Sequence, residues 1–255
     1  MLDANRRSGN LLLDGLAGAA RERLEPDLVP VQMPAGQVLH FAQAPVREAY
    51  FPTTSVVSKL FLMRNGASSG VALVGAEGMI GVAAFLGGSA LPDQAQVLRA
   101  GEGWKISAQR LADEFERGGP LMHALLGYTH SLIAQVMQTA ACNSHGTLQE
   151  RLCRWLLMNL DRGCNEEMKM THQGIADVLG VRRESVSETA AILQHEGAIR
   201  YRWGHVRVLD RRALERRVCE CYRPVAPRQV AVASRRPIGP VSSAFGRRAI
   251  ASADA

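Results

Sequence analysis

The spacing of apolar residues divides the chain into three regimes. Between Asn10 and Leu24, the residues Leu12, Leu16, Ala19 and Leu24 fall near helical spacing and Pro26 follows, which predicts a short leading helix. From Val29 the rhythm shortens to β-type runs separated by turn residues: Val31–Met33, Val38–Phe41, Ala49–Phe51, Ser55–Met63, Val71–Val74, Ala95–Ala100 and Gly103–Ser107. Arg64-Asn65-Gly66 predicts a hairpin, because Asn-Gly suits the positive φ values of a primed two-residue turn. Short strands at near-even spacing indicate an antiparallel barrel or sandwich. Ser107 can then cap a helix through Arg117, and Gly118-Gly119-Pro120 stops it.

The third regime is helical. A long helix is expected from Pro120 to about Asn143, and it carries two apolar stripes. Leu121, Leu125, Tyr128, Leu132, Gln135, Thr139 and Cys142 form one, and Met122, Leu126, Thr129, Ile133, Val136 and Ala140 form the other. A helix wetted on one side needs only one stripe. Two stripes predict that one packs on the β domain and the other meets a partner, expected to be the same helix of a second copy, with Leu121, Leu125, Tyr128, Leu132, Gln135 and Thr139 as the interface set. Thr147-Leu-Gln-Glu150 is a capping box, and it opens a helix with Leu148, Leu152, Trp155 and Leu156 on one face, ending near Gly163.

Thr171–His195 reads as two short helices joined at Gly180. Thr171 is the N-cap of the first, with Ile175, Val178 and Leu179 on its buried face. The second starts near Arg182 or Arg183 and buries Val186, Ala190 and Leu193, with Ile192 beside them. Its outer face carries Arg183, Glu184, Ser187 and Glu188. A polar, arginine-led first turn is what major-groove reading requires, although a plain helical hairpin has the same pattern. Beyond it, Ala198–Trp203, Gly204 and His205–Leu209 predict a two-stranded ribbon. Arg200, Arg202 and Arg207 lie on one of its faces, and Tyr201, Trp203, Val206 and Val208 on the other. Helix, helix–turn–helix and ribbon in this order make a winged helix. Asp210–Cys221 reads as a short closing helix, and the Pro-, Ala-, Ser- and Arg-rich stretch from Pro224 to Ala255 as a disordered basic tail.

Charge follows the same division. Residues 1–145 carry 11 Lys/Arg and 12 Asp/Glu, residues 146–223 carry 14 and 11, and residues 224–255 carry 5 and 1. The basic excess therefore sits in the last 110 residues, where a polyanionic partner fits, while the first half is near neutral. The five cysteines, Cys142, Cys153, Cys164, Cys219 and Cys221, are odd in number and lack zinc-finger spacing, so a metal site is not expected. None precedes Cys142, which leaves an N-terminal iron–sulfur cluster without ligands. Charges break the apolar start after Asp14, and Glu77 with several glycines breaks Gly70–Leu91, so neither a signal sequence nor a membrane span is expected, and the expected location is the cytoplasm. Gly75–Gly81 loosely resembles a phosphate loop but lacks Gly-Lys-Ser/Thr and reads as a turn. His123 and His130 lie seven apart on the long helix with no paired nucleophile, which argues against an enzyme.

This pattern resembles the Crp/Fnr family of bacterial transcription regulators over about residues 10–222. Pro34–Leu39 (PAGQVL), Ala49–Thr53 (AYFPT) and Val74–Gly81 (VGAEGMIG) match it in the first half. Glu150–Leu157 (ERLCRWLL) and Gly180–Ser187 (GVRRESVS) match it in the second. The resemblance implies an α+β chain in four parts: an N-terminal antiparallel β-roll like cyclic-nucleotide-binding domains (10–118), a dimerisation helix (120–145), a winged helix-turn-helix (146–222) and the tail (224–255). It implies a homodimer on double-stranded DNA, with RNA polymerase as a further partner. Thr171, His172, Arg182, Arg183, Glu184, Ser185, Ser187 and Glu188, with Arg202 and Arg207 of the ribbon, are the candidate DNA-facing residues. Arg183 and Glu184 match the family's recognition positions, whereas Glu188 stands where a second arginine is expected. In the nucleotide site, Val82, Gln94 and Ala95 stand where the family's cyclic-nucleotide binders place a Glu and an Arg–Ser/Thr pair. A phosphate would lack its cation there, so cyclic AMP is not the expected ligand. The alternative to a DNA-binding regulator is a ligand sensor acting through protein contacts.

Overall fold

A computed structural model describes residues 7–16, 18–88, 90–163, 167–222 and 224. The expected basic tail and Cys164 lie outside the described residues. The leading apolar stretch folds as two helices, α1 (Leu11–Asp14) and α2 (Ala19–Leu24), not as one. The break follows from Asn10 and Gly18. Asn10 caps α1 with its carbonyl oxygen and donates its amide to Pro52 O and Gly78 O, pinning the helix to the roll. Gly18 precedes α2 at φ 59°.

Seven strands follow: β1 (Val29–Met33), β2 (Val38–His40), β3 (Glu48–Pro52), β4 (Val56–Leu62), β5 (Ser68–Val74), β6 (Asp93–Arg99) and β7 (Gly101–Ser107). They form two antiparallel sheets, ordered β1-β7-β3 and β2-β6-β4-β5. Pro52 is tolerated because β3 is an edge strand. Met33, Ala49, Phe51 and Ile106 of the first sheet meet Val57, Val74, Ala95 and Val97 of the second in one core. β4 is buried on both faces: Val57 points into the roll, while Val56 and Leu60 face helices packed outside. The β4–β5 turn corrects the expected primed turn. Met63 N–H donates to Ala67 O, only Gly66 takes positive φ (84°), and the Asn65 side chain accepts from Ala67 N–H. Three residues, not two, cross the hairpin.

α3 (Ala108–Glu116) begins after Ser107, whose hydroxyl makes no capping bond. α4 then runs from Pro120 to His145, 26 residues. Its stripes are used the other way round from the sequence expectation. Leu121, Leu125, Tyr128 and Thr139 are buried in the protein's own core, Leu132 packs against that core, and Gln135 Nε2 donates to Leu73 O. Groups already covered cannot face a partner. The uncovered set is Leu126, Ile133, Val136 and Met137.

α5 (Leu148–Asp161) opens on the expected capping box of Thr147 and Glu150. β8 (Glu167–Lys169), which the sequence did not signal, pairs with β10 (His205–Val208), and β10 pairs with β9 (Ile199–Arg202). The ribbon is thus a three-stranded sheet, with α6 (His172–Leu179) and α7 (Arg183–His195) inserted between β8 and β9. α8 (Arg211–Glu215), capped by Asp210, ends earlier than expected. Leu152, Leu156, Ile175, Val186, Leu193, Val206 and Leu214 form this domain's core, and Val56, Leu60 and Leu73 of the roll join it. Polar contacts close the junction: Arg162 Nε to Glu77 Oε1 at 2.7 Å, and Ser68 Oγ donating to Asp177 O at 2.9 Å.

Candidate nucleic-acid interface

The site is built from the start of α6, the first half of α7 and the turn between β9 and β10. Thr171 Oγ1 accepts from Gly174 N–H, so its hydroxyl is used in capping α6. Gly180 takes φ 64°, which only glycine or a short polar residue adopts readily, and its turn sets α7 across α6. Arg182 is the N-cap of α7 and makes no capping bond through its side chain. Arg182, Arg183, Glu184 and Glu188 are all exposed, and neither arginine makes an ion pair among the described residues. Two unneutralised guanidinium groups beside the free N–H groups of a helix start form an anion-attracting end. Ile192, expected in the buried stripe, is 49% exposed, because Val186, Thr189, Ala190 and Leu193 alone fill the contact with the core.

His172, Ser185 and Ser187 are less open than the sequence suggested. Ser187 Oγ donates to Arg183 O at 3.1 Å and lies 2.8 Å from His172 Nδ1. The hydroxyl has one proton, so the Nδ1–H must be the donor to it. The His172 ring lies on Tyr201 with centroids 3.9 Å apart, and Tyr201 donates to Met170 O at 3.0 Å. The chain His172–Ser187 and His172–Tyr201 thus locks α6, α7 and the wing to one another. Burial of His172, and then the charge of Arg183, holds the imidazole below its ordinary pKa of 6.5. Thr189 Oγ1 donates to Ser185 O.

The wing places Arg200 directly across from Arg207, and Arg202 across from His205. All three arginines are exposed on one face, and His205 Nδ1 lies 3.0 Å from Glu167 of β8. On the other side of β10, Arg207 stands in register with Glu167 of β8, which lies beside the arginine face. Trp203 is not on the apolar face. It stands at the tip with φ 52°, followed by Gly204 at 75°, and is 86% exposed. Positive φ at both positions makes this a primed two-residue turn. Met170 N–H donates to Gly204 O at 2.8 Å, so the wing tip sits beside Thr171.

The roll interior carries a cluster the sequence did not signal. Lys59 Nζ lies 2.7 Å and His40 Nε2 3.7 Å from Asp93 Oδ2, and all three residues are buried. Burial pushes the Asp93 carboxyl up, but His40 and Lys59 outweigh it and hold the group below its ordinary range. Val82 and Ala95 are buried in the roll core, and Gln94 pairs with Leu60 on the sheet. Among the described residues no cluster of three His, Cys, Asp or Glu could hold a metal ion. Cys142 and Cys219 sulfurs lie 3.2 Å apart, and burial followed by that contact pushes the Cys142 thiol up. No helix among the described residues is long and apolar enough to cross a membrane.

The sequence profile of the Crp-like helix-turn-helix domain matches residues 150–217. Among curated proteins, no sequence matches the chain. Solved structures share its fold. A transcriptional regulator of the Crp/Fnr family from Eubacterium rectale is 17% identical, covers 82% of this chain and 98% of its own, and has a TM-score of 0.67. FixK2 from Bradyrhizobium japonicum is 16% identical over 75% of this chain and 98% of its own, at 0.64. The Crp-family regulator TTHB099 from Thermus thermophilus is 23% identical over 73% of this chain and 95% of its own, at 0.61. The C-terminal part of the chain is a Crp-like helix-turn-helix domain, and the chain as a whole has the fold of the Crp/Fnr regulators.

Proposed function

We propose that the protein is a homodimeric, sequence-specific DNA-binding transcription regulator of the Crp/Fnr type. The observation that carries this reading is the exposed, unpaired Arg182–Arg183 start of α7 beside an arginine-faced wing. In the major groove, Arg183 would donate to guanine O6 and N7 and Glu184 would accept from cytosine N4, while the wing arginines meet phosphates. Glu188 repels phosphate, so this helix reads a sequence of its own.

The dimer seam is the uncovered stripe of α4. Leu126, His130, Ile133, Met137, Ala140 and Ser144 are exposed and alternate by four and three, which is the spacing that packs a helix against a second copy of itself. Leu126, Ile133 and Met137 are 43%, 54% and 67% exposed. A two-fold pair of this chain would place two α7 helices in successive major grooves, ~34 Å apart. In this reading cyclic AMP is not the effector, because Val82, Gln94 and Ala95 offer its phosphate no cation.

Selection of genomic fragments on the purified chain tests the proposal. The recovered fragments should share an imperfect palindrome with half-sites one helical turn apart. Fragments with no common sequence, retained no better than random duplex, would contradict it.

A further inference from the structure

Four side chains with unpartnered polar atoms, Ser58, Arg151, Arg154 and Trp155, meet at one place outside the DNA face. Between β4 and β5 of the roll and helices α4, α5 and α6 lies a small cleft that opens to solvent. Ser58, Arg151, Arg154 and Trp155 line it. Ser58, Arg154 and Trp155 are 2%, 7% and 5% exposed, yet Ser58 Oγ, Arg154 Nε and Trp155 Nε1 have no hydrogen-bond partner among the described residues. Arg151 Nε is likewise unpartnered. Arg154 Nη1 donates to Thr139 Oγ1 at 3.2 Å and Arg151 Nη2 donates to Leu179 O, both neutral acceptors.

Every one of these groups can donate, and neither arginine has a carboxylate in ion-pair contact among the described residues. A guanidinium buried without an anion is costly, and unmade donors beside it add to the cost. The remaining lining is apolar apart from Thr139, Cys142 and Asn143, and none of its side chains carries a negative charge. The missing component is therefore an acceptor with negative charge.

We infer that this cleft is an oxyanion site, in which Arg154, Trp155 and Ser58 hold a carboxylate or phosphate group at the junction of the roll and the DNA-binding domain. The site touches both domains: Ser58 comes from the roll, Arg154 and Trp155 from α5, and Val178 from α6. It is separate from the roll interior, and it does not rest on the DNA-binding reading.

Titration of the full chain without DNA tests it, using inorganic phosphate and acetate in separate arms against chloride at constant ionic strength. Tryptophan fluorescence and melting temperature are the readouts. At least one of the two anions should bind saturably and raise the melting temperature, and the arm that saturates names the class. Arg154→Met should weaken that binding at least tenfold and abolish the thermal shift. Arg183→Ala, which alters only the DNA face, should leave the binding midpoint unchanged. Should Arg154→Met not fold, the pair Ser58→Ala and Trp155→Phe removes two donors while keeping the arginine, and the same loss is expected. Absence of saturable binding by either anion overturns the inference. So does binding that survives loss of the cleft donors, or that disappears in Arg183→Ala.

Discussion

Arg183 and His172 show how differently two residues of one motif behave. Arg183 is exposed and makes no ion pair among the described residues, as its place at the head of an amphipathic helix indicated. His172 and Ser187, both named as DNA-facing candidates, also hold one another across the turn. That contact joins residues fifteen apart in sequence, and no local periodicity reports it. The same applies to Lys59, Asp93 and His40, which lie on three strands and meet only once the sheet forms. His172 gives a pH prediction. Its folded pKa lies below the unfolded 6.5, because burial and then Arg183 disfavour the imidazolium. The unfolded chain binds the proton more readily, so stability is complete above about pH 6.5 and declines as pH falls from there toward the folded value. Melting temperature should drop over that window in the wild type, and the His172→Gln variant should lose this part of the slope. An identical slope in both would show that His172 does not contribute.

At the level of elements, apolar periodicity located α4, α6 and α7 well, but it could not say which α4 stripe is covered. Both stripes are apolar, and the choice is made by the roll, which meets Leu121, Leu125 and Tyr128. β8 was invisible because three residues, Glu167–Lys169, hold one apolar side chain and show no alternation beyond it. Trp203 continued the alternation of the ribbon in sequence, but the strand ends before it and the turn carries it outward. The uncovered α4 stripe makes a direct prediction. Ile133→Glu with Met137→Glu puts four like charges into the proposed seam of a dimer. Sedimentation equilibrium should show a monomer for this variant and a dimer for the wild type, with little change in helix content. A dimer that survives both charges would place the interface elsewhere. At the roll side of α4, Gly78 has no room for a side chain, since an added Cβ would overlap the Tyr128 ring.

On the scale of the whole molecule, the two-part architecture was legible from the change of rhythm at Pro120, whereas the junction between the parts was not. It is made by pairs distant in sequence, of which Arg162–Glu77 is the best buried, with side chains 3% and 17% exposed. Glu77→Gln leaves the arginine charge without its partner, which for a buried pair costs ~3–5 kcal/mol. A loss of that order in urea unfolding is expected, and a loss below about 1 kcal/mol would show the pair to be solvent-relaxed. Electrostatics also govern the DNA complex as a whole. Each phosphate neutralised by Arg182, Arg200, Arg202 or Arg207 should contribute about −0.9 to the slope of log affinity against log salt. Removing Arg202 should lower that slope by about one unit and weaken binding to all sequences alike.

Base reading by α7 is the central claim, and Arg183 tests it most directly. Affinities of the wild type and Arg183→Ala are to be measured on the selected operator and on random duplex at one salt concentration. The loss should be ~1–3 kcal/mol on the operator and small on random DNA. Equal losses on both, or none on the operator, would contradict the claim that Arg183 reads a base.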